Sequence, residues 1–157
     1  MTTKRVFIAS SAELKKEREE LVDLMQDMND ELEKAESDIR LESVLWEYMD
    51  SSMRSGRKED EYLEQLRKSE ICIVLFWNTL GEYTLEELDL AVEEMRAGRC
   101  PKEVHVLFKE PADNASKELL AFKVAFDDKY NLQPIYFENI KQLRKKCFDM
   151  VYPLGIT

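Results

Sequence analysis

The sequence predicts an α/β fold in which a parallel sheet is covered by helices on both faces. Short apolar runs alternate with amphipathic stretches five times along the chain, which is typical of successive strand–helix units. One run, residues 71–77, is apolar throughout, as expected of a strand that is buried on both faces. The chain has 157 residues, 44% of them hydrophobic, which is enough for one core. We therefore expect a single domain over residues 1–157, and we expect it to be part of a longer protein.

The first half of the chain predicts two strands, each followed by a helix. Residues 6–9 form the first apolar strand. Apolar side chains at helical spacing then predict a long helix, namely Leu14, Leu21, Met25, Met28 and Leu32. Residues 38–45 alternate between polar and apolar, which indicates a half-covered edge strand. A short helix with Tyr62, Leu63 and Leu66 follows.

The second half predicts three more strand–helix units. Residues 71–77 are the central strand, and the helix after Gly81 carries one apolar stripe, formed by Leu88, Ala91, Val92 and Met95. Strands at 104–108 and 134–137 precede helices at 116–130 and 140–151. Right-handed crossovers then give a flavodoxin-like three-layer sandwich, a five-stranded parallel sheet with strand order 2-1-3-4-5.

The composition argues against several classes of protein. Asp and Glu total 33 against 23 Lys and Arg, and the net charge of −10 argues against binding to nucleic acid or to an anionic membrane. No apolar run is long enough to span a membrane, and the N-terminal run is too short for a signal peptide, so we expect a cytoplasmic protein. Three scattered cysteines and a single histidine predict neither disulfides nor a metal site.

The predicted strand order places a ligand site. Strand order reverses between strands one and three, and ligands of such sheets bind beyond the carboxyl ends of the strands at this point. The loops concerned are Ser10-Ser11 after strand one and residues 78–84 after strand three, with Trp46 after strand two beside them. These loops lack the acids of a phosphorylation receiver, the glycine of a flavin phosphate loop and the G-x-G-x-x-G of a dinucleotide fold.

Two motifs resemble those of a known family. The first reads Val6-Phe7-Ile8-Ala9-Ser10-Ser11, followed by Leu14 and Glu17-Arg18. The second reads Gly81-Glu82-Tyr83-Thr84, followed by Glu87 and Ala91. Together they resemble the TIR-like domains of bacterial defence and signalling proteins, in a wider group with TIR domains, SEFIR domains and nucleoside deoxyribosyltransferases. The resemblance covers roughly residues 4–137.

The resemblance implies an enzyme that uses NAD as its substrate, needs no separate cofactor and cleaves the nicotinamide–ribose bond. It also implies a role in defence or stress signalling, such as anti-phage innate immunity, and self-association through the domain. The catalytic glutamate of such TIR domains lies in the first turn of the third helix, shortly after an aromatic residue. Glu87 and Tyr83 are the matching positions, although the family aromatic is Trp.

Two other functions remain open at this point. The chain could be a non-catalytic TIR-like interaction module, because Trp46 and the residues after it replace the small and polar residues that the family has there. A nucleoside deoxyribosyltransferase-like enzyme is the second alternative, but ordinary nucleobases usually need protonation before they leave. Nicotinamide leaves NAD as a neutral molecule, so a carboxylate that stabilises the ribosyl cation suffices.

Glu87 also has a structural interpretation. Thr84 to Glu87 has the form of a capping box, in which Glu87 would bond back to the N–H of Thr84. Glu86 competes for the catalytic role and points about 100° away on the same helix.

The remaining contacts are predicted from side-chain chemistry. Ser10 and Ser11 would bind a phosphate at the first helix N-terminus, although Ser10 could also be only a helix cap. Arg54 would neutralise the pyrophosphate, and Trp46 or Tyr83 would stack on a ring. We expect Ser10, Asn78, Tyr83 and Glu87 to border one cleft at the carboxyl edge of the sheet.

Overall fold

Five parallel strands form one sheet in the order that the sequence predicts. The computed structural model describes the backbone of residues 1–45 and 57–156, and all their side chains except those of residues 57–60, 82 and 83. The strands are β1 (Thr2–Ser10), β2 (Ile39–Leu45), β3 (Ser69–Phe76), β4 (Glu103–Lys109) and β5 (Ile135–Phe137). They pair in the order β2-β1-β3-β4-β5, every pair parallel, which confirms the predicted flavodoxin-like sandwich.

Each strand is followed by a helix that covers one face of the sheet. The helices are α1 (Lys15–Lys34), α2 (Arg57–Arg67), α3 (Glu82–Arg96), α4 (Lys117–Tyr130) and α5 (Ile140–Ile156), and a short 3₁₀ turn precedes α1. The bounds of α4 follow from its caps. The Ser116 hydroxyl accepts a hydrogen bond from the N–H of Leu119 at 3.1 Å, and Asn131 ends the helix in a left-handed conformation.

The strand β3 is the centre of the molecule, as its apolar run predicts. Its side chains from residue 71 to residue 76 are all fully buried. The even-numbered ones, Cys72, Val74 and Phe76, pack against α2, α3 and α4. The odd-numbered ones, Ile71, Ile73 and Leu75, pack against α1 and α5. The alternation of a strand thus divides the core into two layers, one on each face of the sheet.

The last helix is longer than the sequence predicts. The apolar pattern ends α5 near residue 151, but the helix continues to Ile156 with Pro153 inside it. Leu154 packs against the core layer of α1, and Gly155 lies so close to Leu32 that an added Cβ would be 3.3 Å from a methyl carbon. Tertiary packing against α1 therefore holds a turn that local propensity alone would not.

An ion-pair network around one buried glutamate joins α2 to the C-terminal end of α3. The Glu94 carboxylate accepts two hydrogen bonds from Arg67, at 2.9 and 3.1 Å, and two from Arg99, at 2.6 and 3.1 Å. Glu94 is 4% exposed. The hydrogen bonds from Arg99 and then Arg67 lower the pKa of Glu94 to about 2, so this carboxylate stays ionised.

None of the helices in the described part of the chain combines the length and the apolar character that crossing a membrane requires.

Candidate functional site

The loops after β1 and β3 are held together by Glu13. Ser10 pairs with Leu75, so the two strands end side by side. One carboxylate oxygen of Glu13, Oε2, accepts four hydrogen bonds: from the N–H of Asn78 at 3.0 Å, the N–H and hydroxyl of Thr79 at 2.9 and 3.0 Å, and the Ser11 hydroxyl at 3.1 Å. Glu13 therefore fixes the start of the chain segment that leads into α3.

Asn78 extends this hydrogen-bond network to the start of α4. Its side-chain oxygen accepts a hydrogen bond from the N–H of Asn114 at 3.1 Å, and its backbone carbonyl accepts one from Ser116 at 2.8 Å. Asn78 is thus bonded to segments that follow β1 and β4 as well as lying after β3. The carboxyl edge is a connected structure, and Asn78 is at its centre.

The side chain of Ser10 faces the α1 side of the sheet. Val6 and Ile8 of the same strand pack in the α1 layer, and Ser10 shares their parity. Buried Arg18 donates to the Ser10 hydroxyl at 2.5 Å and to the Ser11 carbonyl at 2.8 Å. A phosphate at Ser10 would have to replace Arg18, because Ser10 itself is 0% exposed. The predicted phosphate contacts of Ser10 and Ser11 stay predictions.

Neither serine caps the 3₁₀ turn with its side chain. Ser11 precedes the 3₁₀ turn without a side-chain cap bond, and the Ser10 hydroxyl donates to the Ser11 carbonyl at 3.2 Å. The capping interpretation of Ser10 is therefore wrong. The reason is that both hydroxyls have other partners: the Ser10 hydroxyl accepts a hydrogen bond from Arg18, and the Ser11 hydroxyl donates one to Glu13.

An ion pair with a buried carboxylate joins α1 to the end of β4, and it was not predicted from the sequence. Glu17, 4% exposed, accepts a hydrogen bond from Lys109 at 2.8 Å, and the Lys109 ammonium lies 4.0 Å from the centre of the Trp77 ring. The helical spacing does indicate that positions 17 and 18 are buried. Each lies three or four residues from the apolar side chains of Leu14 and Leu21, which places them on the inward face of α1.

Gly81 sets the start of α3. Its φ of +68° is a conformation that other residues rarely adopt, and an added Cβ would lie 3.1 Å from the Thr84 hydroxyl and 3.4 Å from the Ser11 Cβ. Gly81 is the N-cap of α3, and glycine has no side chain with which to cap the helix. The helix therefore begins at Glu82, and the capping box predicted for Thr84 and Glu87 is wrong.

Glu87 lies on the buried face of α3. Because the helix begins at Glu82, Glu87 is in its second turn, not in the first turn that the family resemblance implied. Glu87 is 6% exposed, whereas Glu86 is exposed. The backbone carbonyl of Glu87 accepts a hydrogen bond from the buried Tyr62 hydroxyl at 2.8 Å. The inward position distinguishes Glu87 from Glu86 by geometry.

The Glu87 carboxylate is close enough to Tyr62 of α2 and Cys72 of β3 to act on both electrostatically. Burial raises the pKa of the Cys72 thiol, and the negative charge of Glu87 raises it further. Burial likewise raises the pKa of Tyr62, with smaller contributions from Cys72 and Glu87. Tyr62 and Cys72 thus stay protonated at neutral pH. The Glu87 carboxylate therefore has two neutral groups, the Tyr62 hydroxyl and the Cys72 thiol, as neighbours.

The structure brings some of the predicted site residues together and separates others. Ser11, Asn78 and the start of α3 are in contact through Glu13 and Gly81. Ser10 faces α1, on the opposite face from the layer that holds Tyr62 and Cys72 near Glu87. The backbone of Tyr83 is in α3, but its side chain is outside the described residues, as are Trp46 and Arg54. The single cleft stays a prediction.

Two surface grooves in the described part of the molecule lie at the opposite, amino edge of the sheet. One is lined by Leu63, Glu64, Arg67 and Lys68. The other is lined by Glu103, His105, Ile135, Lys146, Asp149, Met150 and Pro153. Within residues 1–45 and 57–156, no three His, Cys, Asp or Glu side chains converge as they would around a metal ion.

Comparisons with known proteins identify a fold. No protein-family model and no curated protein matches the chain. Among solved structures, it is similar to the TIR domains in a structure described as the activated Roq1 resistosome directly recognizing the pathogen effector XopQ. The TM-score is 0.56 at 13% identity, and the match covers 94% of this chain and 99% of the other. The TIR-like fold that the motifs implied is confirmed; at this identity, the likeness concerns fold alone.

Proposed function

We propose that this chain is a TIR-like hydrolase that cleaves the nicotinamide–ribose bond of NAD, with Glu87 as the catalytic carboxylate, in a defence or stress-signalling pathway. The observation that carries the proposal is the inward position of Glu87, 6% exposed, in the helix that follows the carboxyl end of the central strand of a TIR-like sheet. A buried carboxylate costs free energy, so its presence beside such an edge favours a chemical role over a structural one.

The reaction requires little of the protein beyond a negative charge and a water molecule. The C–N bond between ribose and nicotinamide breaks, and its electron pair moves to the ring nitrogen, which loses its positive charge. The resulting ribosyl cation is stabilised by the carboxylate of Glu87. Water then adds to the cation and releases a proton, which gives ADP-ribose. No general acid is needed, because the leaving group is already neutral after cleavage.

The proposed substrate contacts surround Glu87 in sequence and topology. Tyr83 is one helical turn before Glu87, so both belong to the same side of α3, and its ring would stack on a ring of the substrate. Asn78 is at the junction of three loops of the carboxyl edge. We propose that Trp46 and Arg54 provide the stacking and pyrophosphate contacts from the β2 side. Ser10 and Ser11 would bind phosphate only if the hydrogen bonds between their hydroxyls and Arg18 and Glu13 were broken.

The test is direct. Purified protein is incubated with NAD, with and without a crowding agent that promotes assembly, and free nicotinamide and ADP-ribose are measured by chromatography. We expect both products in equal amounts. A parallel incubation with a deoxynucleoside and a second free base tests for base exchange, which a deoxyribosyltransferase-like enzyme would catalyse. If NAD stays intact under every assembly condition, the hydrolase proposal is wrong.

A second candidate function is a TIR-like interaction module, and a separate observation favours it. Three large apolar side chains, Phe148, Tyr152 and Ile156, are exposed at four-residue spacing along α5. The rings of Phe148 and Tyr152 are in contact, with their centres 5.4 Å apart. Such a stripe is suited to another protein surface, and we propose that the domain also self-associates. Light scattering of wild-type protein and of Phe148→Ser would test this. We expect the variant to have a smaller mass in solution than the wild-type protein; the same mass for both proteins would contradict self-association through this stripe.

A further inference from the structure

Tyr62 connects three elements around Glu87. It lies on α2, is 3% exposed, and its ring meets the Phe7 ring of β1 edge-on, with centres 5.0 Å apart. Its hydroxyl donates to the Glu87 carbonyl on α3 at 2.8 Å. One rigid side chain thus contacts the central sheet through its ring and the turn that carries Glu87 through its hydroxyl.

The hydrogen bond has a specific geometric consequence. A helix carbonyl accepts one hydrogen bond from the helix itself and has a second lone pair available. The Tyr62 hydroxyl uses this second acceptor position, so α3 would form without it. What the bond adds is a fixed position of the second turn of α3 relative to α2. Phenylalanine would fill the same space among apolar neighbours and would leave that position unspecified.

The donor is permanent over the physiological pH range. Burial raises the pKa of Tyr62 well above its usual range, and Cys72 and Glu87 raise it further. The hydroxyl therefore keeps its proton and donates under all conditions in which the enzyme would act.

We propose that Tyr62 is a positioning residue for Glu87, which holds the catalytic turn of α3 at a fixed distance from α2 and the sheet. This inference rests on the proposed function of Glu87. A displaced carboxylate would stabilise the ribosyl cation less well while the binding of NAD changed little. Loss of the hydroxyl therefore acts on kcat rather than on KM.

The chain provides a matched control for this test. Tyr130 of α4 is also 3% exposed, and its hydroxyl donates a hydrogen bond to Asp89 of α3 at 2.5 Å. Tyr62→Phe and Tyr130→Phe each remove one tyrosine hydroxyl that bonds to α3, but only the first bond reaches Glu87. A purely structural role would give the two variants the same kinetic effect.

The experiment compares kcat and KM for NAD cleavage in the wild-type protein and both variants, together with amide hydrogen exchange of residues 88–91. We expect Tyr62→Phe to lower kcat about tenfold, with KM within about twofold, and to speed exchange in that turn. Tyr130→Phe should do neither. Equal kcat in the two variants overturns the positioning role while leaving the hydrolase intact. Absence of cleavage by the wild-type protein overturns the proposed function, and the role of Tyr62 with it.

Discussion

The carboxylate of Glu13 accepts a hydrogen bond from the backbone N–H of Asn78 at 3.0 Å. Glu13 thereby joins the 3₁₀ turn before α1 to the segment that leads into α3. The same oxygen accepts three further hydrogen bonds, from Thr79 and Ser11. A single side chain therefore satisfies two consecutive backbone donors at the end of the central strand. Without it, these donors would be left to solvent, and the position of α3 relative to β1 would depend on fewer contacts.

Glu13→Ala should lower the free energy of unfolding by about 2 kcal/mol, because several hydrogen bonds to a charged acceptor are lost together. Urea denaturation measures the change. The control is Glu19→Ala, which removes an exposed ion pair with Lys15 at 3.9 Å and should cost less than about 0.5 kcal/mol. Similar losses in both variants would show that Glu13 has no special role at the carboxyl edge.

Glu94 should make stability depend on pH in the acid range. Its pKa is lowered to about 2 in the folded protein, from the 4.5 of an ordinary glutamate. The stabilisation is therefore complete above about pH 5 and is lost as the pH falls toward 2. We expect the loss to be about 2 kcal/mol, less than the full shift implies, because Arg67 and Arg99 are half exposed and solvent screens them.

The measurement is the free energy of unfolding of wild-type protein and Glu94→Gln between pH 5 and pH 2. The variant should be less stable at pH 5, and the difference between the two proteins should shrink as the pH falls. Glu93→Gln, at an exposed neighbouring position, serves as the control and should retain the wild-type slope. Parallel curves for wild type and Glu94→Gln would contradict the assignment.

Val74→Asp should prevent folding. Val74 is 0% exposed in the central strand, where it lies between Ala9 of β1 and Val106 of β4. An unpaired carboxylate there would cost several kcal/mol, which is comparable with the total stability of a domain of this size. Circular dichroism and gel filtration would detect the loss. Val124→Asp makes the same change at a side chain that is 87% exposed, and it should fold normally.

The sequence predicted the strands and their order because each is a short apolar run whose period and length are local properties. It also predicted a helix after Gly81, but the capping box at Thr84 is wrong, because the cap depends on the positive φ of Gly81 and on its close contact with Ser11, which is 70 positions earlier in the chain. The end of α5 likewise depends on packing of Gly155 against Leu32. Both errors arise where distant contacts override local propensity.

The candidate site was predicted less completely than the fold, for a related reason. The topology and the family resemblance indicated Glu87, which the structure places on the inward face of α3. By contrast, the partners of Ser10 and Ser11 are the charged residues Arg18 and Glu13, which composition alone assigns to solvent. Burial of a charged side chain requires a partner from another element, and no local pattern specifies that partner.

Glu87→Gln is the decisive variant for the proposed function. Gln has nearly the same size and keeps one oxygen acceptor, but it lacks the negative charge that the ribosyl cation requires. Release of nicotinamide should fall by at least about a hundredfold, the usual effect of losing one preorganised electrostatic partner. The backbone bond from Tyr62 to residue 87 does not involve the side chain and should survive.

Stability separates this chemical effect from damage to the fold. A neutral amide is less costly to bury than a carboxylate, so the free energy of unfolding of Glu87→Gln should change by less than about 1 kcal/mol. Glu86→Gln removes the same charge from an exposed position of the same helix turn and should keep most of the activity. Because both variants change the net charge equally, a general electrostatic effect on NAD binding would lower their rates alike. A large loss in Glu87→Gln alone therefore requires a local role for its carboxylate, whereas equal losses would mean that the reacting group is not Glu87.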